Sequence, residues 1–255
     1  MIEEVIVRTL VEYINQIERF SPDFSLSRGQ SQDLALLPSA FRLDSSGMRC
    51  YSNKDIKLFL DDFKTNSSLY IEDAVSYREN DWLIHAQHFG VPTCLLDFTY
   101  SPLVSLMFAL ENAFNYDYAD ERYSVVWLLN PIICNTKNIN EDSIVNLTET
   151  DMSKLENYKK PFVAKARKNN SRIVAQNGLF VYFKSNSSAL EKVENADAFL
   201  KKLLIPHSDA RLMLRSLYVL GMRFSALYPE LSSVSKDIIL KNKVMESYKQ
   251  EEGYE

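Results

Sequence analysis

Glycine is scarce in this chain, with six in 255 residues. No G-x-G or G-K-[ST] string occurs, which excludes a glycine-rich phosphate loop. Histidine and cysteine are equally thin, with three of each. Cys50, Cys94 and Cys134 are widely separated and set mostly among apolar neighbours, and there is no C-x-x-C and no histidine pair at the H-x3–5-H spacing of a zinc site. They read as core thiols of a reducing cytoplasm, and no structural zinc or other metal site is expected. The absence of a G-x-S-x-G elbow argues against a serine hydrolase. No run reaches the roughly 18–20 apolar residues of a membrane span. The opening MIEEVIVRTL is charged and amphipathic, without the apolar core of a signal peptide. A cytoplasmic protein with no membrane contact is therefore the expectation. A formal charge of −5 and a pI near 5.4 leave no global basic footprint, so any contact with nucleic acid has to be local.

What is present suits one globular domain. Hydrophobic residues make up 46% of the chain, and neither an internal repeat nor a Pro/Gly/Ser-rich linker divides it. Ile2, Val5, Ile6, Leu10, Tyr13, Ile14 and Ile17 share one helical face, so residues 1–20 are expected to form an amphipathic helix. The body of the domain is expected over residues 21–239, with a charged helical tail over 240–255. Helices are expected over residues 53–64 with Asn53 as N-cap, 71–89, 102–113, and 209–220 capped by Ser208 and closed by Gly221. Strands are expected at 93–98, 123–129 and 179–183, where β-branched and aromatic residues concentrate. Residues 135–160, poor in apolar side chains, read as a long loop. Residues 222–231 read as a short strand followed by a turn.

The densest stretch is Asp81–Asn112. A helix ends at Gly90-x-Pro92, a short buried strand follows, and Pro102 opens the next helix. A strand, a tight turn and a helix N-terminus in succession commonly hold an anion. Asp97 interrupts an apolar strand, which is costly unless its carboxylate is paired or used. It is either a turn cap or a functional carboxylate, and His88 is either a helix-end residue or its neighbour in a site. Arg28-Gly29 ends an earlier alternating segment. Its guanidinium either meets a core carboxylate or offers a two-pronged contact to a phosphate. Lys165, Arg167, Lys168 and Arg172 form the one basic cluster, read either as a solvated loop or as a patch for a phosphate-bearing partner. His207, near a helix start, reads as structural.

The pattern Gln87-His88-x-Gly90-x-Pro92-Thr93-x-Leu95-Leu96-Asp97-x-Thr99-x-x-Pro102 resembles the core of the FRG domain. Arg28-Gly29 and Arg172-Ile-x-Ala-Gln176-x-Gly178-x-Phe180 resemble two further motifs of that family, in the same order. Ser27 stands where the family carries an aromatic. The family is associated with bacterial toxin and anti-phage systems, and its arrangement is similar to ADP-ribosyltransferases. The resemblance implies a single α+β domain with a split, mostly antiparallel sheet flanked by helices. It implies NAD as substrate, with Arg28, Asp97, Gln176 and His88 as the catalytic set and Arg28, Gly29, Thr93, Thr99 and Gly178 holding the dinucleotide. Gln176 falls where such enzymes often carry a glutamate, and a glutamine cannot serve as a base. Asp97 or His88 would then take that part. The basic cluster would suit an RNA or DNA acceptor, and a neutralising antitoxin protein is the expected partner. A non-catalytic nucleotide-binding or partner-binding module and an NAD glycohydrolase remain open alternatives.

Overall fold

A computed structural model describes residues 1–71, 77–117, 120–150, 152–166 and 178–251. Its organising element is one eight-stranded sheet: β1 (Glu3–Ile6), β2 (Leu26–Gln30), β3 (Leu95–Thr99), β4 (Tyr123–Leu129), β5 (Val145–Asn146), β6 (Phe162–Lys165), β7 (Gly178–Tyr182) and β8 (Leu200–Pro206). The spatial order is β1-β8-β4-β2-β3-β7-β6-β5. Five of the seven pairings are antiparallel, and the two parallel ones, β1 with β8 and β5 with β6, lie at the edges. The helices are α1 (Leu10–Arg19), α2 (Asn53–Ser67), α3 (Glu79–His88), α4 (Pro102–Ala109), α5 (Pro131–Ile139), α6 (Met152–Asn157), α7 (His207–Val219), α8 (Phe224–Leu227) and α9 (Leu231–Glu251).

Strand alternation sorts the core. Leu96 and Phe98 on β3, Val125, Trp127 and Leu129 on β4, and Leu179 and Val181 on β7 bury one face in a single cluster with Leu36 and Phe41. The other face carries two clusters. Val126, Leu128, Leu203 and Ile205 pack under α4, α7 and α9, whereas Leu95, Phe162, Phe180 and Tyr182 pack under Ile84 of α3 and Leu155 of α6. The seam between these two clusters runs along β2 and β3, where the residues of that face are Ser27, Gly29, Asp97 and Thr99.

Several expectations are corrected. Residues 3–6 are a strand, not the first turn of a helix. Their burial alternates, and α1 starts only where the Thr9 hydroxyl accepts from Glu12 N at 3.1 Å. The N-cap of α2 is Ser52, one residue before Asn53, because Asp55 closes a reciprocal capping box with it. Ser208 does not cap α7, which begins at His207 directly from β8. Residues 135–160 hold the end of α5, β5 and α6, and 222–231 hold α8 in place of a strand. The tail is part of the body: Leu240 and Val244 of α9 are buried in the core. Residues 252–255 lie outside the described residues.

His207 is structural, as read. Its Nδ1 lies 2.8 Å from Asp120 Oδ2 and its Nε2 3.1 Å from the Ser31 carbonyl, with Tyr116 stacked on the ring at 3.7 Å. Asp120 also accepts from Arg122 Nε and Nη2 at 2.8 and 2.7 Å. Those Arg122 bonds, then the His207 bond, hold the Asp120 carboxyl far below the usual carboxylate range. A lowered carboxyl stabilises the fold above the ordinary aspartate pKa, and that contribution is lost as pH falls through the native value. Asp120→Asn is therefore expected to lower the urea midpoint at neutral pH, with the gap from the unsubstituted protein narrowing below about pH 4. A gap that stays constant between neutral and strongly acidic buffer would contradict this reading.

Candidate functional site

β2 and β3 are joined by one residue pair, Ser27 with Thr99. On their outer sides both strands are fully laddered, β2 to β4 over Leu26–Gln30 and β3 to β7 over Leu95–Thr99. Beyond the shared pair the two halves of the sheet part. The Asp97 carbonyl accepts from Arg28 Nη1 at 2.7 Å, so a guanidinium replaces the ladder across the gap. The wedge opens into a cavity of about 380 Å³.

The narrow end is built by packing. α4 starts at Pro102, and its N-cap Ser101 accepts from Val104 N. Ser105 Oγ donates to Ser27 Oγ at 2.8 Å, and Tyr13, fully buried, donates its hydroxyl to the Pro102 carbonyl at 2.8 Å. Gly29 lies directly beneath α4, where a Cβ would sit 1.8 Å from the Ser105 carbonyl oxygen. Its backbone is not in the left-handed region, so the glycine is there for space. Thr99, also buried, accepts from Ser101 N at 3.0 Å and shapes the turn into α4.

The Asp97 side chain stands exposed on the cavity side of β3. Its Oδ2 accepts from Gln87 Nε2 at 2.7 Å. The Gln87 Oε1 in turn accepts from the Thr93 hydroxyl, and Thr93 Oγ1 accepts from Leu95 N at 3.1 Å. The buried Thr93 thus sets the orientation of the Gln87 amide, and Gln87 holds the carboxylate. His88, the last residue of α3, and Gly178, paired with Thr99 across β3 and β7, line the same cavity. A Cβ at Gly178 would meet only ordinary contact, 3.7 Å from the Phe98 carbonyl. Nothing local requires glycine there.

Arg28 carries the main charge. Burial pulls its guanidinium down from the ordinary arginine range, the Asp97 carboxylate opposes that, and Arg42 reinforces it. Its Nε is buried with no partner among the described residues. Arg42, Gln87, Glu111, Phe108 and Tyr228 complete a lining that mixes cations, carboxylates and aromatics. Phe108 and Tyr228 meet edge to face at 5.3 Å. Gln30 is held by Trp127 Nε1 at 2.9 Å. Among the described residues no group of His, Cys, Asp and Glu could hold a metal ion.

The structure therefore brings Arg28, Gly29, His88, Asp97, Thr99 and Gly178 together at one cavity. Thr93 does not line it and acts through Gln87. Gln176, Arg167, Lys168 and Arg172 lie outside the described residues, while Lys165 is exposed at the end of β6. Arg42, Glu111, Phe108 and Tyr228 were not read from sequence as site residues: Phe108 and Glu111 sit together at the end of α4, Arg42 and Tyr228 come from distant segments, and only the fold brings them to one cavity. Gln87 stood inside the FRG-like string, but nothing in the string tells that its amide faces Asp97.

No helix among the described residues is long and apolar enough to cross a membrane. Residues 25–118 match the family model of the FRG domain. That span contains β2, α2, α3, β3 and α4, and with them the Arg28 and Asp97 sides of the cavity, and it supports the family reading. It ends before the Gln176 segment. No curated protein and no solved structure matches the chain.

Proposed function

We propose that this chain binds NAD in the wedge between β2 and β3 and transfers its ADP-ribose to a macromolecular acceptor, as a toxin effector of a bacterial defence system. The observation that carries the reading is that one cavity is lined both by the Arg28 guanidinium and by the Asp97 carboxylate, the latter oriented by Gln87. Arg28 and Arg42 suit the pyrophosphate. Phe108, Phe180 and Tyr228 offer flat apolar surface for a base. Asp97, held by Gln87, suits a ribose hydroxyl or the acceptor.

In the reaction the bond between ribose C1′ and the nicotinamide nitrogen breaks, and nicotinamide leaves as a neutral molecule. The acceptor's nucleophile forms the new bond to C1′, and its proton passes to Asp97 or to solvent. The charge built up on the ribose at that moment is stabilised by a preorganised carboxylate more than the ground state is. RNA is the acceptor class favoured by the basic residues Lys165, Arg167, Lys168 and Arg172, and a neutralising protein would restrain such an effector in its cell.

The test is incubation of the purified chain with NAD labelled on its adenylate half, together with total RNA, DNA and lysate protein. Label on one macromolecular class is expected, reduced by roughly 100-fold or more in Asp97→Asn. Free ADP-ribose alone would make the protein a glycohydrolase. Untouched NAD with an intact fold would leave the second reading, a non-catalytic nucleotide-binding module. One observation favours that second reading: Arg28 Nη1 and Asp97 Oδ2 are already engaged within the protein.

A further inference from the structure

Two glycines line the cleft, Gly29 and Gly178, and packing explains only the first. Gly178 opens β7 and pairs with Thr99. Its backbone is not in the left-handed region that favours glycine. Apart from its chain neighbours, the one described atom within 4 Å of a Cβ placed there is the Phe98 carbonyl oxygen, at an ordinary 3.7 Å. Glycine in a strand costs stability, because it loses more backbone freedom on folding and packs against nothing. Neither backbone angle nor neighbours reserve this position for glycine. What the missing side chain leaves is room in the cavity.

The sheet fixes where that room lies. β2, β3 and β7 are adjacent in that order. Directly paired residues share a face, so Asp97 with Phe180 and Thr99 with Gly178 stand on one side of β3 and β7. On β2, α4 lies over Gly29 and brings Phe108 to the lining, where its ring meets Tyr228. Between these ends Arg28 reaches from β2 to the Asp97 carbonyl. The lining therefore runs across the strands from aromatic rings, through a guanidinium and a carboxylate, to the main chain of Gly178. A dinucleotide with its pyrophosphate at Arg28 would lay one base against Phe108 and Tyr228. The ring at its other end would rest on Gly178, beside Asp97.

We infer that Gly178 determines specificity in this cleft: its missing side chain makes the subsite for the second nucleoside of a dinucleotide, the flat ring and ribose beyond the pyrophosphate. The inference rests on the nucleotide reading above and adds to it the direction in which the ligand lies.

Calorimetric titration of the full chain, Gly178→Ala and Gly178→Val with NAD and with ADP tests it, since ADP lacks the second nucleoside. NAD affinity is expected to fall by roughly tenfold in the alanine variant and by roughly 100-fold in the valine variant. ADP is expected to bind all three chains alike. Both variants are expected to melt in urea at or above the midpoint of the unsubstituted chain, because both residues suit a strand better than glycine. Equal NAD affinity in the three chains overturns the inference, and so does a loss of ADP affinity in step with NAD. A valine variant that unfolds earlier than the unsubstituted chain also overturns it, since the fold would then need the glycine. An unsubstituted chain that binds neither nucleotide overturns the nucleotide reading and this inference with it. That result stands apart from the others because it appears before any substitution is made.

Discussion

Gly29→Ala is expected to abolish soluble expression, or to leave a protein several kcal/mol less stable. The added methyl would lie 1.8 Å from the Ser105 carbonyl oxygen and 2.8 Å from Ala109 N, both main-chain atoms of α4. Neither side can yield cheaply. β2 is paired with β4 along all five of its residues, and α4 is anchored by Leu106, Met107 and Ala109, none of them measurably exposed. Overpacking against fixed backbone sits in the severe tail of point substitutions, on the order of 4 kcal/mol or more. A domain of ordinary stability, about 5–15 kcal/mol, loses much of its margin to such a change. Soluble yield and a urea melt are the readouts. An alanine variant melting near the unsubstituted protein would mean that α4 does not sit on β2 as described.

Arg28→Ala should separate stability from binding. The guanidinium bridges the parted strands through one hydrogen bond to the Asp97 carbonyl. Its loss exposes that carbonyl to the water of the cleft, so the fold should lose only about 1–3 kcal/mol. Nucleotide affinity should fall by roughly 100-fold, since the same group supplies the buried donor of the cavity. Arg28→Lys should restore stability less well than charge alone suggests, because a single ammonium lacks the planar, extended fork with which the guanidinium reaches the Asp97 carbonyl. Unfolding curves and NAD titrations on both variants check this. Wild-type NAD affinity in Arg28→Ala would remove Arg28 from the binding site and leave it as a strand bridge only.

How much of this was legible in the sequence differs by element. The run from Gly90 to Pro102 was legible because its punctuation is local: a positive-φ glycine at 83°, an apolar strand and a proline-started helix. The strand at residues 3–6 was not, because Ile2, Val5 and Ile6 satisfy a helical period as well as a pleat, and only pairing with β8 decides between them. β8 itself was hidden by Lys201 and Lys202. Lys202 is 8% exposed in the structure, neutralised by Asp33 at 2.8 Å and Glu4 at 3.2 Å, partners more than 160 residues away in sequence.

Residues 135–160 look like loop by composition for a related reason. Asn135 has no measurable exposure and bonds the Ser143 and Val163 carbonyls and the Val163 amide. Its side chain acts as a piece of backbone, which composition counts as surface polarity. At the site, Arg28, Asp97 and His88 could be named from residue type and motif. That the Arg28 donor would go to a main-chain oxygen, and that Gln87 would hold the carboxylate, depends on tertiary contacts that no pattern encodes.

The pairing of β1 with β8 also sets a timetable for the molecule. Glu3 has its partner at Lys201, and β4 has β8 along its whole outer edge from Tyr123 to Leu129. During synthesis the opening strand therefore waits, for on the order of ten seconds or more, until the residues that receive it have left the ribosome. Until then β4 presents an apolar open edge, the kind of surface that recruits neighbouring chains. Pairings this distant in sequence also close slowly even in a finished chain. The half of the sheet that supports β2, and with it the Arg28 side of the cleft, can be completed only after β8 has been made.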